Sequence, residues 1–184
     1  MVSTSFTYSA YSRYGVRNAL ARTQVFVSVD KLALITPSDH RNVVIFPKKF
    51  HNLYLRLDRP HQDINSWGIW ISYSPDLVYW GQSRVLINPV HYHWDEMKMG
   101  TGAPPVFTPP GWLNIFHAAY STINNTIYRL GVALNDKDDP SKVLGVADDW
   151  ILEPEEIYET TGYVPNVVFT CGALPEPDGS IKIY

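Results

Sequence analysis

The sequence predicts an all-β fold of the propeller type, and three observations carry that reading. Aromatic and β-branched residues dominate short apolar runs, which 14 prolines and 11 glycines punctuate. Few segments sustain a helical period. Similar runs also return at intervals of about 50–60 residues, the length of one four-stranded blade with its loops.

Strands are expected over residues 3–9, 16–21, 43–46, 53–57, 68–72, 112–117, 128–134 and 167–171. The first is built around Phe6 and Tyr8, and the second follows the Gly15 turn. The third and fourth lie either side of Pro47, and the fifth opens on Gly68. The sixth follows Pro110-Gly111, the seventh follows Asn124-Asn125, and the last follows Pro165-Asn166. A β-sandwich would satisfy these runs equally, but the repeats favour the propeller. Residues 69–77 lead into Trp80 and then 85–87, and residues 19–26 lead likewise into 32–35. A third copy runs from 131–134 past Asp139-Pro140-Ser141 to 150–152, and Asn42-Val43-Val44 echoes Asn166-Val167-Val168. The reading is one partial propeller domain over 1–184: two whole blades, the tail of an earlier one and the start of a later one.

Composition narrows the function classes. At 45% hydrophobic and 18% charged residues, the chain is of the soluble globular type. A net charge of -3 excludes a general attraction to nucleic acid or anionic membrane. Cys171 is the single cysteine, so no internal disulfide forms and a reducing compartment is suited. Residues 1–8 lack the charged start and apolar run of a signal peptide, and no apolar stretch approaches the ~20 residues of a membrane span. The cytoplasm is the expected location.

Arg41 stands beside Asn42, Arg59 beside Pro60 and Lys98 two residues before Gly100, where a strand is expected to meet a turn. Strand ends in a propeller can meet across wide sequence separations. Arginine offers a planar fork to phosphate oxygens and lysine a compact charge, matching the roughly -1.5 to -2 of phosphate near neutral pH. Gly100 and Gly102 would let backbone approach a ligand closely. Spacing alone favours ordinary surface charges over this site.

The wider motifs go further. The run His40-Arg41-Asn42-Val43-Val44-Ile45-Phe46-Pro47 is followed by Arg56-Leu57-Asp58-Arg59-Pro60, Lys98-Met99-Gly100-Thr101-Gly102 and Pro165-Asn166-Val167-Val168-Phe169. In this order, from about residue 8 to 184, they closely resemble glycoside hydrolase family 130, the β-mannoside phosphorylases. The resemblance implies a five-bladed β-propeller, with Arg41, Asn42, Arg59 and Lys98 binding phosphate. It places His117 at the junction of phosphate and mannosyl ring, and Trp94-Asp95 in a sugar-facing loop or, equally, a structural turn. Family hydrolases tend to lose the basic set, so its retention points to phosphorolysis. The implied reaction is inverting: phosphate attacks a nonreducing β-mannosyl unit and yields α-mannose 1-phosphate. Inorganic phosphate is then co-substrate, with a β-mannoside oligosaccharide as partner, β-1,4-linked or a mannosyl-glucose, and no cofactor or metal. A homo-oligomer stays open.

The chain also departs from the family. The family's acid aspartate lies in an Asp-Pro-Arg segment upstream of the strand near Phe6, so no catalytic acid is expected within 1–184. A Tyr-Gly-Ala-Ala-Asp run is expected beyond Tyr184. Asp58 stands where relatives often carry histidine, and Thr170 where they usually carry proline. Asp58 is a poor substitute acid, because Arg59 beside it would lower its pKa. The isolated chain therefore reads as an inactive or incomplete enzyme, with a noncatalytic carbohydrate-binding module as the alternative.

Other patterns compete. His91-Tyr92-His93-Trp94-Asp95-Glu96 would put two histidines on one side of a strand near a carboxylate, a metal-binding pattern. Residues 135–140 superficially resemble a calcium loop, but a polar turn is expected. Cys171 is expected to be a buried small hydrophobe, and His61 to be solvated rather than to line a cleft.

Overall fold

The computed structural model describes residues 3–61 and 67–184, leaving Met1 and Val2 of the leader reading outside it. Among the described residues, fourteen strands form four antiparallel sheets, with one helical turn besides. The first contains β1 (Thr4–Ser12), β2 (Gly15–Thr23) and β3 (Asp30–Leu34) in that order. The second contains β4 (His40–Ile45), β5 (Tyr54–Pro60), β6 (Ile69–Ser74) and β7 (Gly81–Ile87). In the third, β8 (Lys98–Thr101) is followed outward by β10 (Gly111–Ser121), β11 (Thr126–Asn135) and β12 (Val143–Val146), with β9 (Val106–Thr108) also on β10. A hairpin of β13 (Ala173–Pro175) and β14 (Ile181–Ile183) makes the fourth. Two complete blades are thus flanked by a three-stranded and a two-stranded one, the count the repeats implied.

Sequential neighbours pair because short turns join them. Asp76 Oδ1 accepts the Val78 and Tyr79 N–H groups between β6 and β7, and Asp136 Oδ1 accepts those of Asp138 and Asp139 between β11 and β12. The calcium-like segment is therefore a polar turn. The single helical turn, α1 (Ile157–Thr160), is closed by a capping box of Glu156 and Glu159.

The main core fills the space between the second and third sheets. Phe46, Leu57, Ile69, Ile71, Met99 and Phe116 are all but sealed from solvent there. Phe46, Phe50 and Trp112 meet edge to face at 5.5–5.7 Å, within the preferred aromatic range. A smaller core of Leu20, Ile35 and Val43 joins the first and second sheets. β5 sits between these cores and is buried on both faces from Leu55 to Arg59.

The structure corrects three expectations and removes one competing reading. Residues 167–171 form no strand: Val167 makes one parallel bridge to Tyr128, after Asn166 enters the left-handed region at φ 61°. The Cys171 N–H bonds the Tyr184 carbonyl, and Cys171 is exposed. The outer strand of the third blade is β12, because the turn at Asp136 returns the chain early, while Leu152 only bridges back to Leu130. The 91–96 segment is a series of turns with Tyr92 at φ 60°, so its histidines do not share a strand face. Among the described residues, no helix is long and apolar enough to cross a membrane.

Candidate anion site

The side chains of β5 alternate between the two cores. Leu57 and Arg59 face the third sheet, and Arg56 and Asp58 face the first. On β4, Arg41 lies directly opposite Arg59, but pairing then slips between Arg41 and Val44. Asn42 makes the slip with φ 58°, a left-handed conformation that asparagine tolerates better than most residues. The bulge turns Asn42 toward His117 on β10 while its neighbour Arg41 lines a cavity with Arg59 and Lys98. Two consecutive residues thereby serve one face.

That cavity, about 210 Å³, is bounded by Asp39, Arg41, Arg59, His61, Trp67, Lys98 and Tyr128. Lys98 enters on β8, whose end is held by a parallel bridge to Trp67. The Arg59 guanidinium and the Lys98 ammonium each lie 5.6 Å from the centre of the Trp67 ring, and Lys98 also lies 5.0 Å from that of Tyr128. Among the described residues, no carboxylate forms an ion pair with Arg41, Arg59 or Lys98; the salt bridges of the molecule lie elsewhere. Arg59 is nonetheless 7% exposed. Burial lowers its pKa to about 10; Tyr128 acts against this shift and the Arg41 charge adds to it. Three cations, one of them buried, thus converge on one cavity with no carboxylate in ion-pair contact among the described residues, an arrangement that can receive an anion.

Behind the cavity lies a second layer. His117 is 1% exposed, and its Nε2 receives the Asn42 amide at 3.2 Å and Arg59 Nη1 at 3.5 Å. A guanidinium has no acceptor, so Nε2 presents its lone pair and the ring proton sits on Nδ1. Burial, reinforced by the Arg59 and Lys98 charges, pushes His117 down to about 3. The ring is neutral and lies between Tyr128, at 6.1 Å, and Phe169, at 4.3 Å. Gly100, opposite His117 in register, makes room: a Cβ there would lie 2.3 Å from Asn42 Nδ2 and 2.7 Å from His117 Nε2. At Gly102 a Cβ would meet Thr170 at 2.4 Å. The close approach at both glycines is therefore to the protein's own residues, not the direct ligand contact that the sequence suggested.

The other candidates are placed elsewhere. Asp95 is buried in the 90–96 turn, where its Oδ1 accepts the Val90 N–H at 3.2 Å and meets His93 Nδ1 at 2.8 Å; it does not line the cavity. Neighbouring Trp94 stacks on Phe116 and donates to the Asp148 carbonyl at 2.8 Å. Asp58 does not pair with Arg59, as sequence adjacency suggested. Its Oδ2 meets His40 Nδ1 at 2.9 Å and Arg56 Nη2 at 3.2 Å on the opposite face of the strand. His61 is exposed, yet it lines the cavity and packs edge-on against Trp67 at 4.1 Å. Sequence reasoning missed Asp39, Trp67 and Tyr128; the last two looked like ordinary strand aromatics.

Comparison with known proteins agrees with this architecture. Residues 2–184 match the profile of glycoside hydrolase family 130, described as beta-1,4-mannooligosaccharide phosphorylase. The chain belongs to that family, and its fold is part of the family's five-bladed β-propeller. It is 34% identical over 183 residues to a 1,2-beta-oligomannan phosphorylase of Thermoanaerobacter sp. (strain X514), covering 96% of this chain and 59% of the relative. It is 36% identical over 148 residues to a beta-1,4-mannooligosaccharide phosphorylase of Ruminococcus albus, covering 79% and 44%. The solved structure of the beta-1,2-mannobiose phosphorylase from Listeria innocua, in complex with beta-1,2-mannobiose, superposes with a TM-score of 0.91 at 36% identity, covering 99% of this chain and 51% of that one. The chain thus spans about half the length of the relatives it matches.

Proposed function

We propose that this chain carries the phosphate-binding part of an inverting β-mannoside phosphorylase site. The observation that supports this reading is the convergence of Arg41, Arg59 and Lys98 on one cavity, with no carboxylate in ion-pair contact with them among the described residues. Arg41, Arg59 and Lys98 contact the phosphate, and Asn42 and His117 form the layer that fixes Arg59 from behind. His117 thereby stays close to the phosphate–sugar junction, while Asp95 shapes the loop leading into Lys98. Phosphate takes the place of the attacking water, so cations that hold and aim the anion replace a carboxylate base. The anion attacks the anomeric carbon from the face opposite the leaving oxygen and leaves as α-mannose 1-phosphate.

The acid is a separate matter. Asp39 supplies the only carboxyl on the cavity among the described residues, and Asp58 is committed to Arg56 and His40. The isolated chain is therefore expected to bind phosphate without turnover. Inorganic phosphate titrated into the purified chain should bind, and Arg59→Ala should weaken it about 10–100-fold, the scale of one charge-assisted pair. Mannose 1-phosphate release should be absent from both β-1,2- and β-1,4-mannobiose. Wild-type chain that ignores phosphate, or binding unchanged in Arg59→Ala, would overturn the reading; mannoside binding without phosphate binding would favour a carbohydrate-binding module instead.

A further inference from the structure

We infer that His40 and Asp58 are positioning residues for the anion-binding pair Arg41 and Arg59, an inference that rests on the function proposed above. Each immediately precedes one member of that pair, and Arg41 lies opposite Arg59 in the β4–β5 register. The side chains of His40 and Asp58 meet at 2.9 Å on the face turned away from the cavity. A cross-strand tie on one face of a hairpin fixes the relative placement of the residues next along on the other face.

The start of β4 needs such a tie. His40 and Arg41 lie between two left-handed residues, Asp39 at φ 61° and Asn42 at φ 58°. Between Arg41 and Val44 the ladder to β5 is interrupted, so at this end of β4 only the pairs His40 with Pro60 and Arg41 with Arg59 hold the backbone to β5. Non-glycine residues in this region persist only when their surroundings over-determine them. The surroundings include the Asp58 carboxylate on the His40 ring, the Asn18 amide on the His40 carbonyl at 2.8 Å and the Asp39 N–H on the Val16 carbonyl at 2.8 Å. They also include the His61 N–H on the Asp39 carbonyl at 2.9 Å and the Thr101 hydroxyl on the Asn42 carbonyl. Of these, only the first joins side chains of β4 and β5. Asp58 is itself anchored by Arg56, whose other nitrogen reaches the Ile35 carbonyl in the first sheet.

The cluster is poorly built for stability alone. Asp58 Oδ1 and Arg56 Nε are buried without a partner among the described residues, and buried ion clusters of this kind are often replaceable by apolar groups at no loss of stability. Its distinguishing property is directional. It sets where the backbone of residues 40 and 58 stands, and so where the next two side chains project.

Two variants test this while leaving the Arg56–Asp58 pair intact, so that no buried charge is orphaned. His40→Asn keeps a donor where Nδ1 stands, whereas His40→Leu fills the space without one. Both are compared with the wild-type chain by amide hydrogen exchange at residues 41–44 and by the dissociation constant for inorganic phosphate. His40→Leu is expected to speed exchange and weaken phosphate binding about tenfold each, and His40→Asn to restore both to within about threefold of wild type. Wild-type exchange in His40→Leu, or no rescue by His40→Asn in a folded chain, would overturn the inference. If the wild-type chain binds no phosphate, the proposed function fails, yet the exchange comparison still decides whether this tie holds the strand.

Discussion

The two faces of the β4–β5 hairpin carry charge in opposite ways. Toward the first sheet, Arg56 and Asp58 are 2% and 1% exposed, and each neutralises the other. Toward the third sheet, Arg59 is almost as deeply buried, yet it shares its cavity with two like charges, Arg41 and Lys98. No carboxylate forms an ion pair with it among the described residues, Asp39 on the cavity wall included. One strand therefore holds two buried guanidinium groups three residues apart, one paired within the protein and one without a carboxylate. Burial makes both costly, but only the paired one repays its desolvation internally. The difference teaches that burial or charge alone does not single out a site: one guanidinium has its counter-charge inside the protein, and the other, under the function proposed above, is left for a ligand's charge.

The largest effect is expected on the paired face. Asp58→Ala orphans Arg56 in a site from which water is excluded, and should cost about 3–5 kcal/mol of folding stability. Chemical denaturation of both chains measures this directly. A loss below about 1 kcal/mol, the value of an exposed ion pair, would mean that Arg56 finds water and that the two faces do not differ.

The next effect, smaller per pH unit, belongs to His117. Its folded-state pKa of about 3 lies below the ordinary value of 6.5, because burial and the Arg59 and Lys98 charges oppose protonation. The unfolded chain thus takes up a proton that the folded chain refuses. The contribution is fully present above pH 6.5 and is lost as pH falls from there toward about 3. Over that window wild type should lose about 1.4 kcal/mol per pH unit relative to His117→Gln, which carries no titrating ring. Parallel stability curves for the two chains would show that the ring accepts a proton in the folded state, and with it that Nε2 does not face a cation.

Much of this contrast was legible in sequence, but not all. Arg41, Arg59 and Lys98 could be picked out near strand ends and turn residues, but spacing alone favoured surface charges, and the family resemblance was what grouped them. The partner of Asp58 was also encoded: period-two alternation puts Arg56 and Asp58 on one face of β5 and Arg59 on the other. Adjacency in sequence suggested the wrong arginine. The bulge at Asn42 was hidden, since asparagine is compatible with both turns and strand ends. Trp67 and Tyr128 could not be separated from core aromatics, because in an all-β chain both kinds occupy apolar strand positions. At 91–96 the structure takes the turn reading over the strand that alternating histidines mimic, with Tyr92 in a left-handed backbone.

The smallest expected effect is the one that most sharpens the comparison. Arg59→Leu removes a buried charge and replaces it with an apolar side chain facing Trp67 and the main core. The guanidinium has no carboxylate partner to orphan, and His117 Nε2 keeps the Asn42 amide as a donor. Lost contacts with the Trp67 ring oppose the relief of desolvation and of repulsion from Arg41, so stability should change by less than about 1 kcal/mol in either direction. Phosphate binding should fall all the same. A destabilisation comparable to that of Asp58→Ala would show that Arg59 is held by the fold rather than reserved for an anion, and the two faces of the hairpin would then be alike.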